Sequence, residues 1–219
     1  MASSGAYLCA MPARDAETER IRRIYDRRAG SAHTSGGADL RWLCSQARGE
    51  TLEIGIGNGR TLPFYPRHVH LSAIEISPVS LEIAARRARE LGLDASLREG
   101  DAAALPYPDD HFDTVVFCFA LCTIPNDRAA IGEAVRVLRP GGLLLLVEHV
   151  RSPRLLVRSI ERLFDPITVR RSGDHLLREP LEHVLAEELE VECLERRLLG
   201  IVERLAASKP QADELAEAV

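Results

Sequence analysis

The chain predicts an α/β fold: a doubly wound, seven-stranded sheet, mostly parallel, closed by a C-terminal antiparallel hairpin. Three observations carry that prediction. Short apolar runs alternate with amphipathic stretches from residue 51 to residue 147, a spacing that specifies strand–helix–strand units with right-handed crossovers. A glycine-rich loop, Gly55-Ile56-Gly57-Asn58-Gly59, follows the first of those runs directly. Near the end, 191–199 and 201–207 read as two strands joined close to Gly200, a hairpin that completes the sheet.

The elements follow in order. Residues 13–29 carry Ile21, Ile24 and Tyr25 at helical spacing among many charges, and 38–47 place Leu40, Leu43 and Cys44 on one side of a second helix. The Ser- and Gly-rich link 30–37 between them is expected to be mobile, and the two helices are candidates for a lid. Leu52 and Ile54 belong to the first strand; a helix broken by Pro63 is expected over 60–65, and the second strand over 71–76. Ser77-Pro78 is an N-cap with proline in the first turn, opening a helix to Leu91 with Leu81, Ile83, Ala84 and Ala88 available to the core. Strands follow at 95–98 and 114–119, the latter almost wholly apolar, as a strand covered on both faces must be. Asn126 caps a helix through Val137, and Pro140-Gly141-Gly142 turns into a fifth strand at 143–147. Beyond it come a basic amphipathic helix over 155–164, an irregular insertion over 165–174 and a helix over 179–189. The expected organisation is an arm at 1–13, one domain at 14–209 and an acidic tail at 210–219. Within the domain, 14–47 are lid helices, 48–150 the ligand-binding core and 151–209 a substrate-side insertion with the hairpin.

Composition narrows the function. The chain has 219 residues with 46% hydrophobic and 28% charged, ordinary for one soluble globular domain. A net charge of -5 gives no reason to expect nucleic acid. Cys9, Cys44, Cys118, Cys122 and Cys193 are odd in number and form no C-x-x-C pair, against a disulfide framework or a zinc ribbon; no metal site is expected and a reducing cytoplasm is. The apolar run 6–11 is too short for a spanning helix and lacks the preceding positive charge of a signal peptide. Arg151, Arg154, Arg158, Arg162, Arg170 and Arg171 are read as a solvated face, with an anionic substrate or a membrane surface as the alternative.

Ligands of such sheets bind beyond the carboxyl ends of the strands, which puts Gly55 to Gly59, Glu75, Asp101, Cys118 and His149 along one rim. The loop offers backbone N–H groups to a polar or anionic ligand tail. Glu75, ending the second strand, is placed to accept both hydroxyls of a ribose and repels a 2′-phosphate. Together they describe a site for an adenosine-bearing cofactor. The dinucleotide fingerprint wants its last small residue at position 60, which is Arg60, and this speaks against a nicotinamide-dependent oxidoreductase.

The glycines instead read E-x-G-x-G-x-G from Glu53, and this pattern resembles motif I of the class I S-adenosylmethionine-dependent methyltransferases, whose fold is Rossmann-like. Gly100-Asp101-Ala102, Leu105-Pro106-Tyr107-Pro108-Asp109, Phe112-Asp113 and Arg136-Val137-Leu138-Arg139-Pro140-Gly141-Gly142 resemble further blocks of the ubiquinone/menaquinone-type superfamily, in order and spacing. The resemblance implies S-adenosyl-L-methionine as cofactor and S-adenosyl-L-homocysteine as product. It implies that Gly55, Gly57 and Gly59, with Ile56 and Asn58 between them, pass the methionine portion. Glu75 would take the ribose, with Ile76 beside it, and Asp101 the adenine amino group, with Ala102 on the ring. Cys118 and Phe119 would lie at the sulfonium end and Glu53 would support the loop from below. Ile56 departs from the Cys or Ala common there and is expected to narrow the pocket.

A looser resemblance, through Phe119-Ala120-Leu121-Cys122-Thr123-Ile124, Glu148-His149-Val150 and Gly173-Asp174-His175-Leu176-Leu177-Arg178-Glu179, is to small methyltransferase-like proteins that alkylate thiols. A thiol is therefore the expected acceptor, with a phenol oxygen or quinone-ring carbon as the alternative. A non-catalytic cofactor-binding module is the remoter one. His149 and His175 are the candidate bases or orienters; a structural histidine is an equal reading for His149 and the preferred one for His175. Tyr25 and Asp26 are candidates to close over the acceptor. Cys118 and Cys122 are read as small buried residues before a metal or redox pair. Partners beyond a small-molecule substrate are not expected, and the oligomeric state is open.

Overall fold

The computed structural model describes residues 15–30 and 36–211. The arm, most of the 30–37 link and most of the acidic tail lie outside the described residues. Five strands, β1 (Glu50–Ile54), β2 (His70–Glu75), β3 (Ala95–Glu99), β4 (Phe112–Cys118) and β5 (Leu138–His149), pair in parallel, and β7 (Val202–Ser208) runs antiparallel between β5 and β6 (Glu190–Arg197). The order across the sheet is β3-β2-β1-β4-β5-β7-β6. The expected architecture is present, with the hairpin where the sequence put it.

Alternation along the strands sends neighbouring side chains to opposite faces and so builds two cores. Val115 and Phe117 of β4, with Leu144 and Leu146 of β5, pack under α4 (Asp127–Val137), whose Ala130, Ile131 and Ala134 are fully buried. Val116, Leu145 and Val147 face the other way, against Leu43 and Cys44 of α2 (Gly37–Cys44) and Ala84 and Ala88 of α3 (Pro78–Glu90). Leu81 and Ile83 are only partly buried.

The helix starts obey local chemistry. Ser77 Oγ accepts the N–H of Ser80 at 3.1 Å to cap α3, and Asn126 Oδ1 accepts that of Ala129 at 3.1 Å to cap α4. The expected helix around Pro63 is a single 3-10 turn, Leu62–Phe64. The largest departure lies after β5. The irregular insertion expected over 165–174 is helix: α5 runs Leu155–Ser172, straight through Pro166, and ends at Gly173 with φ 81°. The chain then enters the short helix α6 (Pro180–Ala186). The N-terminal helix α1 (Ala16–Arg28) packs against α3 and α5.

Candidate active site

The order β2-β1-β4-β5 makes the sheet change direction between β1 and β4, so the segments leaving these central strands part company and open a crevice at their carboxyl ends. The β1 side of the crevice is the glycine loop. Gly55 and Ile56 donate their N–H groups to Ile74 O at 2.9 and 3.2 Å. Gly55 has φ 76°, and a Cβ there would lie 2.8 Å from Ala120 Cβ on the β4 side. Gly57 has φ 56°, but a Cβ there would meet nothing within 4 Å. Its N–H donates to Glu75 Oε2 at 2.8 Å. Asn58 Nδ2 donates to Ala29 O at 3.1 Å, tying the loop to the end of α1.

Glu75 is 4% exposed, and its Oε1 accepts the N–H of Ser77 at 2.9 Å. Burial raises its pKa, opposed by N–H bonds from Ser77, Gly57 and Ile76. The sequence assigned Glu75 a ligand role alone, whereas the structure also makes it the tie between the β1 and β2 loops. Ser77 Oγ donates in turn to Asp26 Oδ1 at 2.7 Å, which fixes α1 over the crevice. Beneath the loop, Glu53 is 1% exposed and accepts from Thr61 Oγ1 at 2.7 Å and from the Tyr65 hydroxyl at 3.0 Å; burial pushes its pKa up to about 7.

The β4 side is held by a residue whose role the sequence did not single out. Glu148, 1% exposed at the end of β5, accepts the N–H groups of Ala120 and Leu121 at 2.7 and 2.9 Å and that of Cys122 at 3.4 Å. Burial raises it to about 7 against those three donors. The signal was present as an acid closing a run of five apolar residues. Arg178 clamps the far side of the same loop through the carbonyls of Leu121 and Ile124. Phe119, at the turn, has φ 52°, and its ring lies 4.7 Å from that of His149.

Two cavities occupy the crevice and share Tyr25, Gly55 and Phe119. The smaller, of about 560 Å³, is lined by Glu75, Ile76, Asp101, Ala102 and, from α1, Thr18 and Ile21. The larger, of about 1080 Å³, is lined by Glu53, Ile56, Gly57, Asn58, Cys118 and His149, together with Arg28, Arg60 and Asp174. Gly59 lines neither; its φ is 76° and it packs against Leu62 and Ala84. His175 also lines neither: its N–H donates to Cys122 O at 2.8 Å, and burial lowers the pKa of its half-buried ring. Tyr25, hydrogen-bonded to Thr123, has its pKa raised by burial. The thiols of Cys118 and Cys122 are likewise held well above the ordinary value by burial, and among the described residues no cluster suited to a metal ion exists.

Residues 52–146 match the family model described as a methyltransferase domain. The chain is 34% identical over 116 residues to a phosphatidylethanolamine N-methyltransferase of Cereibacter sphaeroides, covering 52% of this chain and 57% of that protein. It is 33% identical over 130 residues to a demethylmenaquinone methyltransferase of Thermus thermophilus, covering 55% and 59%. The chain thus spans under two thirds of these relatives. Among solved structures the crystal structure of the cyclase SpnF superposes with a TM-score of 0.71 at 21% identity, over 92% of this chain and 99% of that one. Residues 52–146 are thus similar to methyltransferase domains, and the two relatives named here are methyltransferases. S-adenosylmethionine is the cofactor that this similarity implies. The crevice fits such a cofactor, because the space a Cβ would occupy at Gly57 is open and Glu75 is a buried acceptor on the adjoining wall.

Proposed function

We propose that the chain transfers the methyl group of S-adenosylmethionine to a small-molecule acceptor, and that the acceptor atom is a thiol sulfur. The observation that carries the reading is the pair of cavities that share Tyr25, Gly55 and Phe119, one lined by Glu75, Asp101 and Ala102 and the other by polar and cationic side chains. In this assignment Glu75 accepts the ribose hydroxyls with Ile76 beside it, Asp101 accepts the adenine amino group and Ala102 packs on the ring. Gly55, Ile56, Gly57 and Asn58 pass the methionine portion, and Cys118 and Phe119 border the sulfonium. Gly59 and Glu53 hold the loop's shape. The bound cofactor supplies an activated methyl group on sulfur; the protein's contribution is to place an acceptor in line with it and keep water away.

A thiol needs little help to ionise, and the guanidinium groups of Arg28 and Arg60 on the larger cavity favour its anion. His149 orients the acceptor or takes its proton, Tyr25 closes the joint, and the backbone N–H of His175 helps hold the β4 loop at the Cys122 carbonyl. The second reading, transfer to a phenol oxygen or quinone-ring carbon, is favoured by the Phe119–His149 ring pair on the cavity wall and by the name of the demethylmenaquinone methyltransferase relative. Because this fold also carries a cyclase, the test must follow the methyl group itself. The protein is incubated with cofactor labelled in its methyl group and a panel of small thiols, phenols and quinols. Label in the thiols supports the reading; turnover of phenols or quinols with every thiol inert overturns the choice of sulfur. Calorimetric binding without transfer to any acceptor leaves a cofactor-binding module.

A further inference from the structure

The helix α5 is inside out. Its inward stripe is polar: Glu161 Oε2 accepts the N–H of Ser152 at 3.0 Å, Asp165 Oδ1 accepts that of Leu176 at 2.7 Å, and Thr168 Oγ1 donates to Asp174 O at 2.8 Å. The outward stripe is apolar, with Leu156, Ile160, Leu163, Phe164 and Ile167 at three- and four-residue steps. Their exposures are 82%, 58%, 70%, 49% and 49%. Contiguous exposed apolar surface of this kind marks an interaction site. Leu198 and Leu199, 64% and 56% exposed, lie beside the start of the helix, where Ser152 Oγ donates to Leu199 O at 2.8 Å.

Charge selects the partner. Arg154, Arg158, Arg162, Arg170 and Arg171 lie on or at the ends of α5, and among the described residues none of these guanidinium groups has an ion-pair partner. The acids of the helix, Glu161 and Asp165, are turned inward. A second copy meeting this face would bring Arg170 and Arg171 against a stripe that holds no carboxylate to pair with them. An apolar stripe on a helix of about 27 Å, with exposed Arg170 and Arg171 on its own side near the C-terminal end, matches a surface with an apolar interior and anionic headgroups. We propose that α5 is an interfacial helix that docks the protein on an anionic lipid bilayer. The end of α5 adjoins the larger cavity, since the helix ends at Gly173, next to Asp174 on the cavity wall.

Sedimentation of the full chain with unilamellar vesicles tests this. Vesicles of phosphatidylglycerol and phosphatidylcholine in equal parts are expected to carry the protein down at low salt, pure phosphatidylcholine on the order of tenfold less, and binding should fall as salt rises. The double variant Leu156→Glu/Leu163→Glu should lose vesicle binding by at least about tenfold with an unchanged melting temperature, because both side chains are already exposed. The double variant Arg170→Glu/Arg171→Glu should remove the preference for anionic vesicles. Absence of binding to anionic vesicles overturns the proposal, as does equal binding to both compositions. A dimer in sedimentation equilibrium that Leu163→Glu converts to monomer also overturns it, by assigning the face to a second copy.

Discussion

Ser77 Oγ donates to Asp26 Oδ1 at 2.7 Å, joining the cap of the helix after β2 to the helix that roofs the crevice. The same Ser77 donates its N–H to Glu75, so roof and wall are linked through one residue. Asp26→Ala removes the tether without touching the cavity wall. Binding of S-adenosylhomocysteine by calorimetry should weaken by about fivefold, the worth of one partly buried hydrogen bond, and Asp26→Asn should recover most of it. An unchanged constant for Asp26→Ala would show that the roof closes without this bond.

Glu75→Ala is expected to do double damage. It removes the ligand's acceptor, weakening cofactor binding by about 2 kcal/mol, and it strands the N–H groups of Gly57 and Ser77, lowering the melting temperature of the free protein. Glu75→Gln, which keeps one acceptor oxygen, should fall between. A loss of affinity with no thermal cost would mean that the loop holds its shape without the carboxylate.

His149→Ala should separate turnover from cofactor binding. The ring lies against Phe119 on the larger cavity, away from the residues assigned to adenosine. We expect kcat to fall by about tenfold to a hundredfold with the cofactor Kd nearly unchanged. Equal losses in both would make the histidine a packing partner of Phe119 and nothing more.

Glu148 provides a pH test. Burial raises its pKa from 4.5 to about 7, so between these values the folded chain keeps a proton that the unfolded chain releases. Its contribution to stability is complete below pH 4.5 and is lost as pH rises through 7, a span worth on the order of 3 kcal/mol. Glu148→Gln cannot titrate. It stands in for the protonated acid at every pH, so the two melting temperatures should lie closest near pH 5, and the parent's should fall relative to the variant's by pH 8. A gap independent of pH would show that Glu148 is ionised in the fold throughout.

The sheet was legible because its signals are local and periodic: Val115, Val116 and Phe117 must be covered on both faces, and Ser77 and Asn126 announce helix starts within three residues. The cavity wall was legible where a motif sets the backbone, as at Gly57 and Glu75. What escaped depends on contacts distant in sequence. Glu148 grips a loop 26 to 28 residues away, and nothing in its own neighbourhood says which N–H groups it will meet. The sequence reading ended α5 at Phe164, ahead of Pro166. The helix continues because Asp165 and Thr168 find partners in the segment that folds back after Gly173, and these hold α5 on both sides of the proline. Periodicity revealed that α5 is amphipathic, but not that its polar side faces in.

The glycine loop divides its demands between two masters. Gly55 is held to glycine by the protein's own Ala120, so a larger residue there is selected against in every molecule that must fold. At Gly57 only the left-handed backbone constrains the empty protein, and asparagine tolerates that conformation. A library of variants sorted for thermal survival would accordingly pass Gly57→Asn and reject substitutions at Gly55. The same library sorted for cofactor capture would reject both, and position 57 would be known by that disagreement as one whose identity is dictated by what the protein holds.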